Sequence, residues 1–466
     1  MAAPNQFLRR ANLGFYHAIV ISAVYEFTKG FNTNDAQSFF KPLRRCIEEH
    51  PFLSVVVGDK HTDKAYFERV PTISLKDHIT ILSSLSAAHD ASAEIEKVLG
   101  GDLDQPFPEG IPPWRIIVLP LQSSQALIVF SFSHSIGDGP TGTSFHRSFL
   151  KAVRTTPKAA LESASSSITT PELPLPAPFD TPERLPISWS FLLGPLLGDI
   201  LPRFLANLLG LKAQASTVDK GTWLGTRLMF FHPDGPRSRL KLREIPAPVV
   251  ANAVRVSRTH DAKLTGVLQQ IIVRALSKAI DDASVTNFVS ETAVNMRKSV
   301  GVHEDEMGEF ASGCYLPYVR PAATDAPLSE EEWEAARVAT RKLAMTASTL
   351  QDQPIGLLRY APSVRKWMAA KIGQERGSSF EMSNVGVFDV GRDGDAVWSA
   401  RVVKAIFAQP GHVASSPIAF NIVTTKGRSM VYTATWPLGA LGVPEEQEDA
   451  FMTRVCDSID ADVAAL

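Results

Sequence analysis

The chain has 466 residues, 44 % of them apolar and 21 % charged, with a formal net charge of −2. This length exceeds one compact core and implies two or three domains. The near-neutral charge excludes nucleic acid as a partner held by bulk electrostatics, while local basic residues can still meet a phosphorylated co-substrate. Three scattered cysteines (Cys46, Cys314 and Cys456) and a start without a basic then apolar leader lead us to expect a reduced, cytoplasmic protein without disulfides, metal or secretory signal.

In chain order, residues 14–28 read as a first strand, rich in β-branched and aromatic residues. Residues 34–50 have helical spacing, with Phe39, Phe40, Leu43, Cys46 and Ile47 on one face and Asn32, Thr33 or Asn34 as cap. A strand is expected over 51–59 and a helix over 88–99. Two antiparallel strands follow over 114–120 and 126–133, and a helix over 141–153. Residues 155–188, crowded with proline and serine, read as an extended crossover. Residues 189–211 are nearly all apolar but contain Pro195, Asp199, Pro202 and Arg203. A spanning helix wants about 20 mostly apolar residues with few charges, so a helical pair is expected here, lining a substrate entrance or resting on a membrane surface.

The second half opens near Gly225, with strands over 226–231 and 241–245 and an amphipathic helix over 263–280. A strand over 287–294 leads into the polar turn 295–298. A helix over 329–350 has Ser329 as cap and three glutamates in its first turn, where the helix dipole favours them. Strands over 380–390, 397–407, 418–424 and 430–435 precede a closing helix over 444–460. Strands and helices mix in both halves without regular βαβ alternation, which gives an α/β class with mixed sheets and α+β character. The expected organisation is an N-terminal half 1–155, a crossover 156–224 and a C-terminal half 225–466.

The chemistry centres on His134, which ends the apolar run 126–132 and is followed by Gly137, Asp138 and Gly139. A strand fixes the imidazole, glycines let a substrate come close, and an imidazole that is mostly neutral at pH 7 accepts a proton from a hydroxyl. A structural histidine is the bland alternative. Asp138 reads as a brace for the loop or as a cap for the next helix. Gly137, Gly139 and Gly142 also match the dinucleotide fingerprint G-x-G-x-x-G. Pro140 sits inside it, however, and no second parallel strand with an acid about 20 residues on follows. Cys314 has no basic neighbour to activate it, and no G-x-S-x-G elbow is present.

His134 to Gly139 resembles the HxxxDG motif of the CoA-dependent acyltransferase superfamily. Further segments resemble the same group: Arg10 to Tyr16, His50-Pro51-Phe52-Leu53, Pro113-Trp114-Arg115, Asn295-Met296-Arg297 and Ser383-Asn384-Val385-Gly386. Together they resemble the fungal alcohol acetyltransferases, cousins of the plant BAHD enzymes. The resemblance implies two chloramphenicol acetyltransferase-like domains with an active-site channel at their interface. It also implies acetyl-CoA as co-substrate, with no permanently bound cofactor, and a small alcohol as acceptor. His134 would be the general base, Asp138 would pair with Arg297, and Gly139 would belong to the loop. Ser383 or Asn384 would polarise the thioester, orient the acceptor, or simply form a turn. Ser133 stands where peptide-forming condensation domains carry a second histidine, and the plant Asp-Phe-Gly-Trp-Gly motif is absent. The expected activity is O-acetyl transfer by a monomer, with membrane contact through 189–211. The alternatives are a carrier-protein-dependent condensation enzyme and a non-catalytic binding member of the fold.

Overall fold

The computed structural model describes residues 13–27, 31–62, 64–85, 90–122, 124–157, 161, 164–200, 217–391 and 400–466. The expectations for Arg10, Ala11 and Asn12, for 201–211 with Pro202 and Arg203, and for 397–399 lie outside these residues. Two main sheets carry the chain. The first is built from β1 (Ile19–Phe27), β5 (Ile79–Ile81), β6 (Trp114–Pro120), β7 (Gln125–Phe132) and β13 (Ala400–Ala408), in the order β13-β1-β7-β6-β5. Every pair is antiparallel except β5 with β6. β1 and β7 lie inside the sheet and are buried on both faces, so they read as largely apolar runs without alternation, with Ser22 and Ser131 among the buried residues.

The second sheet holds β9 (Ser238–Ile245), β10 (Asn287–Asn295), β11 (Ala311–Val319), β12 (Phe380–Phe388), β14 (Ala419–Thr425) and β15 (Met430–Pro437), in the order β11-β10-β12-β14-β15-β9. β12 runs parallel to both β10 and β14, and the remaining pairs are antiparallel. Two short ribbons complete the strands: β2 (Val55–Gly58) with β3 (Tyr66–Arg69), and β4 (Thr72–Ser74) with β8 (Ser167–Thr169). The helices needed below are α1 (Gln37–Glu49), α2 (Gly139–Thr155), α3 (Trp189–Ile200), α4 (Ala247–Thr259), α5 (Leu264–Ala279) and α6 (Glu330–Ser348). α2 packs on α1 over the first sheet, and α5 lies in the apolar core of the second. Ser329 and Glu332 close α6 with a full capping box, as the glutamate spacing suggests.

Several elements depart from the sequence reading. Residues 226–231 form no strand: Thr226 N–H bonds Ala440 O at 2.8 Å and Met229 N–H bonds Gln374 O at 2.8 Å, so two loops satisfy the backbone and no ladder forms. The segment 51–59 opens as a 3₁₀ turn, Pro51–Ser54, before β2 begins. α4 goes unrecognised because its valines favour strands over helices. β11 carries Gly313 and Pro317, which argue against a strand, but it is the sheet's outer strand, where proline is tolerated.

Candidate active site

β7 ends at Phe132, and the chain leaves the sheet through a turn closed by Ile136 N–H to Ser133 O at 3.0 Å. Asp138 then starts α2: its backbone is extended (φ −104, ψ −174), and Oδ1 accepts from Thr141 N–H at 3.3 Å. Pro140 sits in the first helical turn, where a missing N–H costs nothing. The glycines are there for close packing. A Cβ on Gly139 would meet Val385 Cγ1 at 2.5 Å, and one on Gly142 would meet Ile21 Cγ1 at 2.2 Å. Val385 belongs to β12 of the second sheet, so at Gly139 the start of α2 touches that sheet beside His134.

Asp138 is bound on both carboxylate oxygens. Arg297 Nη2 lies 2.7 Å from Oδ1 and Nη1 2.7 Å from Oδ2, a bidentate pair, and Phe310 N–H donates to Oδ2 at 3.0 Å. Arg297 also donates to Glu306 O at 3.0 Å and Gly308 O at 2.9 Å, with its guanidinium over the Phe310 ring at 4.7 Å. Both side chains are buried, at 2 % and 5 % exposure for Arg297 and Asp138. Asp138 therefore caps α2 and pairs with Arg297 at once. Removing one member of such a buried pair leaves an uncompensated charge, at a cost of about 3–5 kcal/mol.

The imidazole of His134 meets a residue that the sequence reading did not single out. Glu309 Oε1 contacts His134 Nδ1, and the Glu309 side chain is 2 % exposed. Burial pushes the Glu309 carboxyl above its ordinary value. The adjacent His134 and, more weakly, Arg297 pull it down, while Asp138 adds to the rise. Glu309 lies at the end of the acidic stretch 304–309. Its one distinguishing mark is position: it falls between the apolar residues Met307 and Phe310, which carry it inward.

His134, Asp138 and Gly139 line a cavity of about 650 Å³ together with Ser383 and Asn384 of β12. Asn384 is committed locally, with Oδ1 accepting from Gly386 N–H at 2.8 Å and Nδ2 donating to Thr265 Oγ1 at 3.3 Å. It thereby holds the irregularity in the β12–β14 register, between Asn384 and Val387, where Gly386 takes φ +81. Ser383 is half-buried on the cavity wall. The Tyr16 ring stands 5.3 Å from the His134 ring and 5.6 Å from the His412 ring. Beyond it the wall is polar. His412 Nδ1 lies 2.9 Å from Glu381 Oε2, and Glu291 accepts from Tyr315 Oη at 2.7 Å and Ser415 Oγ at 2.6 Å. From α3, Leu192 lines the cavity. No helix among the described residues is long and apolar enough to cross a membrane.

Residues 93–453 match the alcohol acetyltransferase family model. The chain belongs to this family. It is similar to a probable alcohol acetyltransferase, crmB, of Aspergillus fumigatus, at 22 % identity over 95 % of this chain and 94 % of the relative. Among solved structures it resembles the trichothecene 15-O-acetyltransferase TRI3 of Fusarium sporotrichioides, with a TM-score of 0.69 and 13 % identity over 99 % of this chain and 94 % of that one. The first condensation domain of the CDA synthetase follows at a TM-score of 0.60 and 11 % identity, covering 99 % and 96 %. These likenesses give the fold as that of the chloramphenicol acetyltransferase and condensation-domain group. The family makes this alcohol acetyltransferase homologue a CoA-dependent acyltransferase.

Proposed function

We propose that the protein transfers an acetyl or short acyl group from acetyl-CoA to the hydroxyl of a small-molecule acceptor, with His134 as general base. The observation that carries this reading is the position of His134: its ring lies on a cavity walled by both halves of the molecule, one nitrogen engaged by a buried carboxylate. The imidazole takes the acceptor's proton as its oxygen attacks the thioester carbon. The tetrahedral intermediate collapses by breaking the C–S bond, and the leaving sulfur takes the proton back from the same ring. The ester and free CoA balance the reaction without an acyl-enzyme. The Ser383 hydroxyl, which lines the same cavity, is the group we assign to the developing oxyanion. Asp138 and Arg297 hold the loop and stay out of proton transfer, since their polar atoms are occupied by one another and by backbone. The apolar α3 supports a largely apolar acceptor reaching the site from a membrane surface: Leu192 faces the cavity while Trp189 and Leu193 are exposed.

The test is thiol release from acetyl-CoA with a panel of alcohols, amines and carrier-bound acyl groups, the product being identified by mass. Release that rises with an alcohol and yields its acetate ester is the expected result. Release with no alcohol in the panel, together with turnover of carrier-bound acyl groups, overturns the proposal.

A further inference from the structure

We infer that Glu309 is the positioning residue of the base: it accepts the Nδ1 proton of His134, so that Nε2 is the nitrogen without a proton and the one that takes it from the acceptor hydroxyl, and it supplies the counter-charge when Nε2 is protonated. The inference rests on the acyl-transfer reading of the cavity. A carboxylate next to a ring nitrogen fixes which nitrogen carries the proton, because an ionised carboxylate can only accept. The Nδ1–Oε1 contact therefore makes Nε2 the basic nitrogen.

Two further observations point the same way. Glu309 is buried, and its Oε2 has no hydrogen-bond partner among the described residues. A buried carboxylate with an unsatisfied oxygen is expensive, and the fold obtains no cap, ladder or cation pair in return. Its hydrogen-bonding outlet is the imidazole. The second observation is a charge count. Asp138 and Arg297 face the same cluster but cancel each other in their bidentate pair. Tyr16 contributes a ring against the imidazole, and the Glu381–His412 pair lies beyond it. Beside a neutral His134 the carboxylate of Glu309 therefore supplies a negative charge in direct contact with the ring, and the proton taken from the acceptor offsets it. The imidazolium forms where a negative charge already stands, without reorganisation in the step. Asp138 cannot serve in this way, because both of its oxygens are taken by Arg297, Phe310 N–H and Thr141.

The test uses the full chain labelled with ¹⁵N-histidine, the His134 signals being assigned by their loss in His134→Ala. At a pH where the ring is neutral, the resting wild type should carry its proton on Nδ1, and Glu309→Ala should lose that preference. Glu309→Gln keeps shape without charge and should lower kcat by about 10–10²-fold, a share of the ~10²–10⁴ that a positioned base contributes. The KM for acetyl-CoA and for the acceptor should stay within about twofold, and Glu309→Asp should recover part of the rate. The acidic limb of kcat/KM should move to lower pH in Glu309→Gln. Its position is read from the shape of the profile and does not depend on how much of the variant folds. A wild-type ring protonated on Nε2, an unmoved acidic limb, or a loss confined to KM overturns the inference. A wild type with Nδ1–H that transfers no acyl group from CoA overturns the reading of the site instead, because the tautomer is measured without substrate.

Discussion

His134 and His146 stand close together on one stretch of chain, and their surroundings are opposite. His146 is fully buried on α2, with Nε2 bound to Ile21 O at 2.9 Å and Nδ1 to Tyr25 Oη at 2.9 Å. A carbonyl only accepts, so Nε2 carries the proton and Nδ1 takes one from the tyrosine. Both nitrogens are spent, and burial holds this imidazole down at about 4. His134 is anchored by Glu309 and turned toward the cavity, its side chain 14 % exposed. A histidine is suited to act as a base where one nitrogen is fixed by the fold and the ring lines a cavity. A histidine whose two nitrogens are both bound in the core is a structural strut.

The sharpest way to break this contrast is exchange of roles by mutation. His134→Ala should lower kcat by ~10²–10⁴-fold while the thermal melt stays close to wild type. His146→Ala should do the reverse: activity per folded molecule persists while denaturant titration shows lost stability, about 1–3 kcal/mol for each partner left unsatisfied. Equal kinetic defects in the two variants would erase the distinction.

Asp138→Asn comes next in size. It leaves Arg297 buried beside a neutral amide and should cost about 3–5 kcal/mol in a urea melt. The kinetic loss should follow that of loop order and not a change in the acidic limb. A variant as stable as wild type but inactive would move Asp138 into the chemistry.

The same contrast carries a pH dependence. His78 and His146 are both held down at about 4, chiefly by burial, and in the unfolded chain both titrate near the ordinary 6.5. Between those values the unfolded state binds protons that the folded state does not, so their contribution is complete above 6.5 and is lost as pH falls toward 4. At 1.36 kcal/mol per pH unit this is roughly 3 kcal/mol each at the acid end. Tm recorded from pH 7 to pH 4 should fall, and His146→Gln should flatten part of that slope.

Much of the first half is legible in the sequence because its signals are local. The apolar runs of β1 and β7, the face of α1 and the proline in the first turn of α2 each declare themselves within a few residues. The motif residues His134, Asp138 and Gly139 stand out for the same reason. Less legible is whatever depends on a partner far away in sequence. Glu309 looks like one acid among several until Met307 and Phe310 are seen to bury it against His134. β11 gives no clear strand signal, and its place at the sheet edge is what excuses its proline. Two glycines of the dinucleotide-like pattern, Gly139 and Gly142, find their reason in Val385 and Ile21, which press against them.

The pairing of β13 with β1 has a consequence for how the enzyme is made. β13 is synthesised long after its neighbour, yet it completes the first sheet, with Val20 opposite Ala408 and Phe27 opposite Ala400. Until residue 408 has left the ribosome, β1 presents a bare hydrogen-bonding edge to whatever else is nearby. The first sheet is thus complete only once its late strand has been made. Two fragments split before residue 400 should need co-expression to yield soluble, working protein.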